Sequence, residues 1–594
     1  CIAKSRNDIS AQNYRKASQF NYAVLPPQKG VVVMIKEKTF YKSFMVLALS
    51  LALQNLLTYG VNLMDTMMLG RYSQDAMGGV SLCNQVQFLL QMLVVGAGEG
   101  AVVMGSQYWG KNKLEPIPHI IGVALRFGGT LAVLMFGIVL FFPHQLLSLL
   151  SNSPTVIAEG EKYFQIICFT YIVFTITNIL VASLRSIGVV KIGYMISGST
   201  LIINVCLNYC LIYGHFGCPE LGVRGAAIAT LVSRCVELLI VIYYLKFKEH
   251  KLNLSLRKLV HIDTSYVQDY MHVSLPVLIN QALWGIAQMV QTGILGHLGG
   301  DATAANAIAV QVYQVLSVVC YGAASASGIV VGRTIGEGNQ QRLRPLVHTL
   351  QVLFVSIGLC SGLLIFLLRV PILALLGGTL TETAYKYSLQ FMMVLAITTV
   401  GTSYQMACDN GIIRGGGDTK FSAKMNIISM WLIVVPFSAM AAFWWKFPPV
   451  VVFFLLKWDQ LYKIIPVAIR LHSWKWVKKV TRPDTAEGKI EFILPLSLEL
   501  AVRRAPFSAP GFRGIRTALA CSPPDGRLLF LHRLTGAHEL PQAVRPIRAG
   551  DFHLRSERNC ADAARAHKRV DTCGFHPLEN HPFPLDSLAQ ITDM

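Results

Sequence analysis

The sequence predicts an all-α polytopic membrane protein, with twelve transmembrane helices arranged as two parallel six-helix repeats. Three observations lead to this fold class. Of the 594 residues, 53% are hydrophobic and 14% are charged, whereas soluble globular chains carry about 25% charged residues. Apolar stretches of about 20 residues, the length that crosses a bilayer, recur along the chain. The first half of these stretches also matches the second half, position by position.

Twelve stretches have the length and composition of a membrane span, and we number them in chain order as spans one to twelve. Spans one to six cover residues 41–64, 79–104, 119–142, 163–184, 193–213 and 225–246. Spans seven to twelve cover residues 270–295, 303–330, 346–368, 386–409, 422–444 and 448–470. Six crossings return the chain to the side where it began, so the two repeats share one orientation. We therefore expect their pseudo-two-fold axis to lie along the membrane normal.

The repeat is clearest where DTMMLGRYSQDAMGGVSLCNQV, residues 65–86, aligns with QTGILGHLGGDATAANAIAVQV, residues 291–312. The offset of 226 positions (291 − 65) also relates Gly110 to Gly336. Three later pairs have an offset of 229: Arg185 with Arg414, Gly188 with Gly417, and Lys191 with Lys420. A long repeat of apolar spans is typical of transporters built from two bundles around a central site.

Positive side chains predict which loops face the cytoplasm. Lys and Arg concentrate before span one, after spans two, four, eight and ten, and after span twelve. The connection between spans six and seven is the richest, with Lys246, Lys248, Lys251, Arg257 and Lys258. We therefore expect both termini in the cytoplasm. The chain then divides into an N-lobe, residues 34–246, a cytoplasmic linker, residues 247–269, and a C-lobe, residues 270–482.

The two ends of the chain do not continue the membrane pattern. Residues 1–33 are polar and unpatterned, and Met34 has the context of a natural start, so we expect a non-native or disordered extension before it. Residues 483–594 are rich in Arg, His and Pro without periodicity, which favours a disordered tail or readthrough. A genuine appended domain is the alternative. Three residues of the tail form only a weak metal signal: Cys573, His576 and His581.

Composition and motifs exclude several classes of function. The formal net charge of +20 would suit a nucleic-acid-binding protein, but much of the excess lies in short loops, where membrane topology explains it. The 13 Cys are scattered without a CxxC pair, so neither a disulfide framework nor a structural metal site is expected. No HExxH, GxSxG or P-loop string lies in a span, which argues against a membrane enzyme. We expect a monomer in the lipid bilayer, without a cofactor or a nucleic-acid partner.

Several short strings, in their order and spacing, resemble the multidrug and toxic compound extrusion (MATE) family of cation-coupled antiporters. The first half contains NLMDTMMLGRYS, SQYWGK, LRSIGVVK and LGVRGAAIATLVSR, and the second half contains VGRTIGEGN and IIRGGGDTK. The resemblance covers roughly residues 40–482. It implies twelve helices, a V-shaped cleft between two lobes, and export of organic cations against a Na⁺ or H⁺ gradient.

Asp65 is the strongest candidate for the coupling site. It lies toward the extracellular end of span one, and an ionisable group at the centre of a span costs about 2.5–3.5 kcal/mol on insertion scales. The alternative is a carboxylate at a helix end that meets water. In a water-poor pocket the carboxyl group could take up a proton from outside and release it inside, or its oxygens could hold Na⁺. Gln291 occupies the aligned position of the second repeat, which suggests one coupling site rather than two.

Four further residues are candidates for the cation site. Asn204 and Asn208 lie four residues apart on one face of span five, and the resemblance places them beside Asp65 together with Thr230 of span six. Hydrogen bonds between helices are the alternative for the asparagines, and ordinary helix packing is the alternative for Thr230. Some relatives carry a carboxylate at the position of Asn208, so this site is one negative charge short. Glu99 in span two is either a second titrating group or a carboxylate that reaches the cytoplasmic mouth.

A second set of residues is predicted to line the substrate cleft. Gln281, Trp284 and Gln288 lie three or four residues apart on one side of span seven, where an aromatic face could attract a cationic drug. Pro276 can kink this span, because proline removes a backbone hydrogen bond. Core packing is the alternative for all three cleft residues. Weaker candidates of the same kind are Tyr171, Tyr404 and Gln405.

These observations predict a transporter, not an enzyme, that exports organic cations and drugs across the cytoplasmic membrane of a bacterium by antiport with H⁺ or Na⁺. The main alternative is a lipid-linked oligosaccharide flippase of the same broad fold. Such flippases usually line the cleft with several Arg or Lys, and we expect only Arg126 and Arg234 of this chain to lie in or near the spans. A regulatory protein that acts through the Arg-rich tail is a further alternative, and it requires the tail to fold.

Overall fold

The computed structural model describes residues 34–151, 153–249, 252, 259, 264–376 and 380–482. The predicted N-terminal extension, most of the predicted linker and the predicted tail lie outside these residues. Within them the chain is helical and contains no β-strand. The all-α fold class is therefore confirmed for the part of the chain that carries the spans.

The N-lobe contains all six of its predicted spans as helices. Spans one, two, three, five and six are Lys38–Tyr72, Gln74–Gly110, Pro116–Phe141, Lys191–Tyr213 and Val223–Phe247. Span four consists of Pro154–Ile167 and Thr170–Ser186, two helices that meet at a bend of 55°. Ser73 ends span one in an extended conformation, and its side chain accepts a hydrogen bond from the Ala76 amide, which caps span two. A short helix, Pro143–Ser148, and a 3₁₀ turn, His215–Gly217, complete the lobe.

The C-lobe follows the same order with more interruptions. Span seven, Thr264–Gly296, continues through Pro276 as one helix. Span eight is divided into Gly300–Leu316 and Val318–Gly336, and span nine is Gln340–Leu376. Span ten is Glu382–Met406 continued by a π-helical turn, Ala407–Ile413. Span eleven alternates α and π segments: Thr419–Ile428, Ser429–Val434, Val435–Ala439 and Met440–Trp444.

Span twelve differs from the others, because it consists of three short helices. They are Pro449–Lys457, Asp459–Tyr462 and Ile464–His472. In the part of the chain that the structure describes, ten helices are long and apolar enough to cross a membrane, and the bent pair of span four brings the number to eleven. Span twelve is not among these eleven, because charged residues and breaks interrupt its apolar helix.

Apolar side chains face outward along the spans, as a lipid environment requires. In span nine, Leu359, Leu363 and Leu367 recur every four residues, and each is more than half exposed. Residues at this spacing form one stripe of a helix. Such a stripe would be unfavourable in water and is suited to the hydrocarbon core of a bilayer. The chain is thus a multi-pass membrane protein.

The two repeats meet at a symmetric crossing. A Cβ atom on Gly336 would overlap the carbonyl oxygen of Gln107 and lie 3.0 Å from the Gly110 Cα atom. A Cβ atom on Gly110 would in turn overlap the carbonyl oxygen of Arg333. Gln107 and Arg333 are aligned in the repeat (333 − 107 = 226). The pseudo-two-fold axis therefore passes between two glycines, and their lack of side chains permits backbone contact.

Spans two and seven make further contacts between the lobes, closer to the middle of span two. The Tyr270 hydroxyl of span seven donates a 2.7 Å hydrogen bond to the Ala97 carbonyl of span two. A Cβ atom on Gly96 would lie 2.7 Å from the Cα atom of Leu278. Spans two and seven thus approach each other backbone to backbone. The turns that follow spans four and ten are also equivalent, since Gly188 and Gly417 both have positive φ, at 83° and 91°.

A segment after span twelve, residues 473–482, joins the two lobes, and we call it the strap. The Trp476 ring is fully buried in the core cluster that spans one and eight share. The Gln107 side chain of span two donates to the Lys478 carbonyl at 3.1 Å and accepts from the Val480 amide at 2.9 Å. The Lys478 ammonium also lies 2.6 Å from the Asp418 carboxylate in the C-lobe. The strap therefore closes the same end of the molecule as the glycine crossing.

Candidate cation site and substrate cleft

Asp65 lies at the centre of a buried polar cluster in the N-lobe. Span one presents its carboxylate toward span five, and only 7% of the residue is exposed. The Asn208 Nδ2 atom donates to Asp65 Oδ1 at 2.5 Å and to Asn204 Oδ1 at 3.1 Å. Asn204 Nδ2 donates in turn to the Thr230 hydroxyl at 3.2 Å. The structure therefore brings together four of the five residues predicted for the cation site.

The cluster contains an oxygen atom without a donor. Both amide hydrogens of Asn208 are used, whereas its Oδ1 atom is buried and accepts no hydrogen bond from the described residues. A buried acceptor of this kind is costly unless something binds it. Together with the Asp65 carboxylate it offers the hard oxygen ligands that suit an alkali cation. The same carboxylate could instead be neutralised by a proton.

A guanidinium group faces the cluster from span six. Arg234 follows Thr230 by one helical turn, and it is close enough to Asp65 for an electrostatic attraction. Its Nη1 atom lies 2.8 Å from Glu237 Oε2, and its guanidinium stacks over the Phe174 ring at 5.1 Å. Because Glu237 shares this charge, Arg234 compensates the negative charge of Asp65 only in part.

Glu99, the fifth predicted residue, does not join the cluster. Its carboxylate lies 3.5 Å from the Arg185 guanidinium, and 22% of each side chain is exposed. A carboxylate that is paired and partly exposed needs no transported cation to balance it. This position favours the second of its two interpretations, a carboxylate near the mouth of the molecule.

The structure separates the predicted cleft residues into two groups. Trp284 of span seven is 36% exposed, and its ring centroid lies 6.1 Å from that of Phe88 in span two. Gln281 and Gln288 are half-buried on the same helix. These three residues remain candidates for the wall between the lobes.

The weaker cleft candidates have other surroundings. The prediction that Tyr171 lines the substrate cleft is wrong, because only 1% of the residue is exposed and it lies within the apolar core of the N-lobe. The same prediction is wrong for Gln405, because this residue is buried and its Nε2 atom donates to Gln460 Oε1 at 2.6 Å inside the C-lobe. Tyr404 is half-buried and packs against the core cluster shared by spans one and eight.

The sequence interpretation missed a chain of charged and polar residues in the C-lobe, which we call the C-lobe polar chain. Lys463 Nζ lies 2.8 Å from Asp459 Oδ2 and donates to Asn426 Oδ1 at 3.1 Å. Asn426 Nδ2 then donates to Asp409 Oδ2 at 2.7 Å. Asp459 and Asp409 are each 1% exposed. Asp409 is therefore buried in this chain, and Arg414, which contacts the same Ser422 hydroxyl, is close enough to attract its carboxylate.

A second branch of the C-lobe polar chain reaches span seven. The Lys457 ammonium donates to Gln291 Oε1 at 3.2 Å. Gln291 is the residue aligned with Asp65, so a lysine–amide contact replaces the acid of the first repeat. Gln460 Nε2 lies 3.0 Å from both carboxylate oxygens of Asp459, which connects the predicted residue Gln405 to the same chain.

The offset of 229 relates the two polar groups. Asp459 is aligned with Thr230 (459 − 230), and Lys463 is aligned with Arg234 (463 − 234). The N-lobe thus carries its acid on span one, whereas the C-lobe carries an acid on span twelve with its own ammonium partner. The sequence already indicated this pair, because Asp459 and Lys463 are opposite charges four residues apart within one predicted span. The prediction that only Arg126 and Arg234 lie in or near the spans was therefore incomplete, since Lys457 and Lys463 also lie in span twelve.

Comparison with known protein families identifies one match. The family model described as MatE matches residues 50–210 and 276–440, one segment in each lobe. The two segments together cover more than half of the chain. Their positions follow the internal repeat.

Relatives and solved structures agree with this match. A "Probable multidrug resistance protein NorM" from Thermotoga maritima is 27% identical over 405 residues, which cover 66% of this chain and 84% of that protein. A "Probable multidrug resistance protein YoeA" from Bacillus subtilis is 25% identical over 417 residues, which cover 69% and 89%. The structure described as "Crystal structure of MATE in complex with MaL6" superposes with a TM-score of 0.66 at 20% identity, covering 73% of this chain and 96% of that one. A MOP superfamily transporter from Pyrococcus furiosus gives 0.67 at 19% identity, covering 74% and 97%.

Proposed function

Because the chain belongs to the multidrug and toxic compound extrusion (MATE) family of transporters, we propose that it exports amphiphilic organic cations and drugs by antiport with H⁺ or Na⁺. The names of its relatives, multidrug resistance proteins, support this substrate class and do not favour a flippase. Export takes place across the cytoplasmic membrane of a bacterium, with both termini of the chain in the cytoplasm. The protein works as a monomer.

The observation that carries this proposal is the buried cluster around Asp65. A carboxylate in a membrane span is unfavourable unless it is paired, protonated or bound to a cation. Here the nearest donors are neutral amides, and Asn208 Oδ1 has no partner among the described residues. The cluster therefore gains stability from a cation or proton that neutralises it. A group of this kind can couple an ion gradient to a change of conformation.

The ion acts by binding one conformation better than the other. In the proposed cycle, the glycine crossing and the strap close the cytoplasmic face, and Asp65 meets the external solution. Binding of H⁺ or Na⁺ at Asp65 then favours release of the drug and return to the inward-open state. Loss of the ion to the cytoplasm restores the charge of Asp65 and resets the cycle.

The test is the variant Asp65→Asn, which keeps the size of the side chain and its hydrogen-bonding capacity but removes the charge. Liposomes that contain the purified protein would be loaded with ethidium. Export of ethidium would then be measured under a Na⁺ gradient and, in a separate experiment, under a pH gradient. We expect gradient-driven transport to fall at least about tenfold, since ion coupling free energies are about 1–3 kcal/mol. The gradient that drives the wild type identifies the ion.

The matched control is Asp75→Asn, the same chemical change at an exposed residue in the first turn of span two. This variant should transport at the wild-type rate. If Asp65→Asn exported ethidium as fast as the control under either gradient, Asp65 would have no coupling role. If the wild type moved the dye equally well without any gradient, antiport itself would be wrong.

A further inference from the structure

A groove lies on the lipid-facing side of the N-lobe, between the C-terminal ends of spans one and five. Met64 and Met68 form its wall on span one, and Cys206 and Tyr209 form its wall on span five. Its volume is about 660 Å³, and sites that hold an organic ligand have volumes of about 300–1,000 Å³. Ile202, Cys206 and Tyr209 are exposed and lie three or four residues apart on span five, so the groove opens toward the surrounding lipid.

Aromatic residues shape one end of the groove. The Tyr213 hydroxyl donates a 2.7 Å hydrogen bond to the Met68 carbonyl, which ties the end of span five to span one. The ring centroids of Tyr209 and His215 are 4.4 Å apart. Phe216 also lines the groove and is 86% exposed, so its ring is accessible to an apolar ligand. Amphipathic aromatic side chains are enriched where spans meet the membrane surface, and we therefore expect this end of the groove at the depth of the lipid head groups.

The charge at the rim of the groove is positive. Arg71 lines the groove and is exposed, and among the described residues no carboxylate lies within 4 Å of its guanidinium. Glu220, an acid that follows His215 in the loop after span five, interacts with Tyr72. A guanidinium can bind a phosphate group through two parallel hydrogen bonds. The groove therefore offers the two features that a phospholipid needs, an apolar surface for an acyl chain and a cation for the phosphate.

We propose that this groove binds one anionic phospholipid, with the phosphate on Arg71 and an acyl chain between spans one and five. Under the topology expected from the loop charges, the lipid belongs to the outer leaflet. The His215 ring at the rim can donate a further hydrogen bond to the head group, and Tyr209 and Phe216 contact the first part of the chain. Basic residues beside apolar surfaces between helices recognise lipid head groups in this way.

The lipid site is separate from the coupling cluster and goes beyond the proposed antiport. Asp65 lies between Met64 and Met68 in sequence, but it is buried and contacts Asn208 inside the N-lobe. Asn208 likewise precedes Tyr209 of the groove. Spans one and five thus carry the coupling cluster on one face and the groove on another. Substitutions in the groove leave the contacts of Asp65 in place, so lipid binding can be tested apart from transport.

The first test concerns the charge at the rim. Native mass spectrometry of the full-length protein would measure the dissociation constant of the first bound lipid, for anionic phosphatidylglycerol and, separately, for zwitterionic phosphatidylcholine. We expect the wild type to bind phosphatidylglycerol about fivefold more tightly, as one arginine beside one anionic lipid predicts. In Arg71→Gln this preference should fall below about twofold. The matched control is Arg369→Gln at the end of span nine, because the Arg369 guanidinium lies over the Phe366 ring at 4.1 Å and does not line the groove. This control should keep the wild-type preference.

The second test concerns the space between the spans. Cys206→Trp places a large ring inside the groove, and Met195→Trp places the same ring on the exposed side of span five, outside the groove. Cys206→Trp should weaken binding of phosphatidylglycerol at least about fivefold, because the ring competes with the acyl chain for the same volume. Met195→Trp should bind the lipid like the wild type. Unfolding temperatures of all variants would show that each is folded.

Three results would overturn the lipid site. The first is equal binding of the two lipids by the wild type. The second is a loss in Arg71→Gln that Cys206→Trp does not share, because the arginine would then only attract the lipid that surrounds the whole protein. The third is a dimer mass that Cys206→Trp abolishes, because a second copy of the chain would then occupy the groove. Failure of the proposed antiport would leave all of these lipid measurements unchanged, so the two failures can be distinguished.

Discussion

The glycine crossing predicts that one methyl group at the interface of the repeats would shift the balance between conformations. In Gly336→Ala, the new Cβ atom would overlap the carbonyl oxygen of Gln107 and lie 2.9 Å from its carbonyl carbon and 3.0 Å from the Gly110 Cα atom. All of these are backbone atoms, so no side chain can rotate away. The closed arrangement of this end should therefore be destabilised while each lobe stays folded.

The size of the effect follows from the cost of overpacking. Forcing an extra methyl group into a packed interface costs about 1–3 kcal/mol, and this changes an equilibrium about 5- to 150-fold. The cost falls only on the conformation in which the two glycines touch. If the wild type favours the closed conformation by less than this overpacking cost, Gly336→Ala should populate mainly the open conformation, in which the lobes separate at this end.

Distances between spin labels measure this shift directly. Labels would be attached at Glu115→Cys and Asn339→Cys, two exposed positions after spans two and eight, in a variant whose 13 native Cys are replaced. We expect the distance distribution of Gly336→Ala to contain a longer component than that of the wild type.

The control is Gly137→Ala in span three, where an added Cβ atom would meet nothing within 4 Å. It should reproduce the wild-type distribution. Identical distributions in Gly336→Ala and Gly137→Ala would refute the idea that the crossing closes a gate.

Three further predictions concern charged and polar contacts. Lys463→Met leaves Asp459 buried without its partner, so the free energy of unfolding in detergent should fall by about 3–5 kcal/mol. Adding Asp459→Leu to the same chain should restore most of this stability. If it restored none, loss of the ion pair would not be the cause. Gln107→Leu removes the hydrogen bonds that hold the strap, so amide exchange at Val480 should accelerate, whereas unchanged exchange would show that other contacts hold it. Glu99→Gln should retain transport within about threefold, because a partly exposed ion pair contributes only about 0–1 kcal/mol, and complete loss of transport would instead indicate a titrating role.

The span pattern could be predicted because lipid imposes one requirement on every crossing. Long apolar stretches and the alignment of two halves were sufficient to place eleven of the twelve predicted spans. Span twelve shows the limit of this reasoning. Its charged residues neutralise one another only in three dimensions, as Asp459 and Lys463 do. The cost of an intramembrane charge, which identified Asp65 as a candidate, would also have identified these two residues.

The site was predictable only in part. The spacing of Asn204 and Asn208 places both on one face of span five, but their contact with Asp65 joins residues 143 positions apart. That contact was expected from the family resemblance, because periodicity within one helix cannot supply it. Tyr171 and Gln405 show the opposite error. A polar or aromatic residue in a span can face a core, a neighbouring helix or a cleft, and residue type does not distinguish these surroundings.

The contact between Gly110 and Gly336 has a consequence for the origin of the molecule. Aligned residues of the two halves touch each other, which is the isologous contact that a two-fold symmetric homodimer makes. In such a dimer every change would occur twice, so an acid could not be kept in one copy and lost from the other. Covalent fusion removes that constraint. The difference between Asp65 and Gln291 is a specialisation that a symmetric homodimer of one half could not encode.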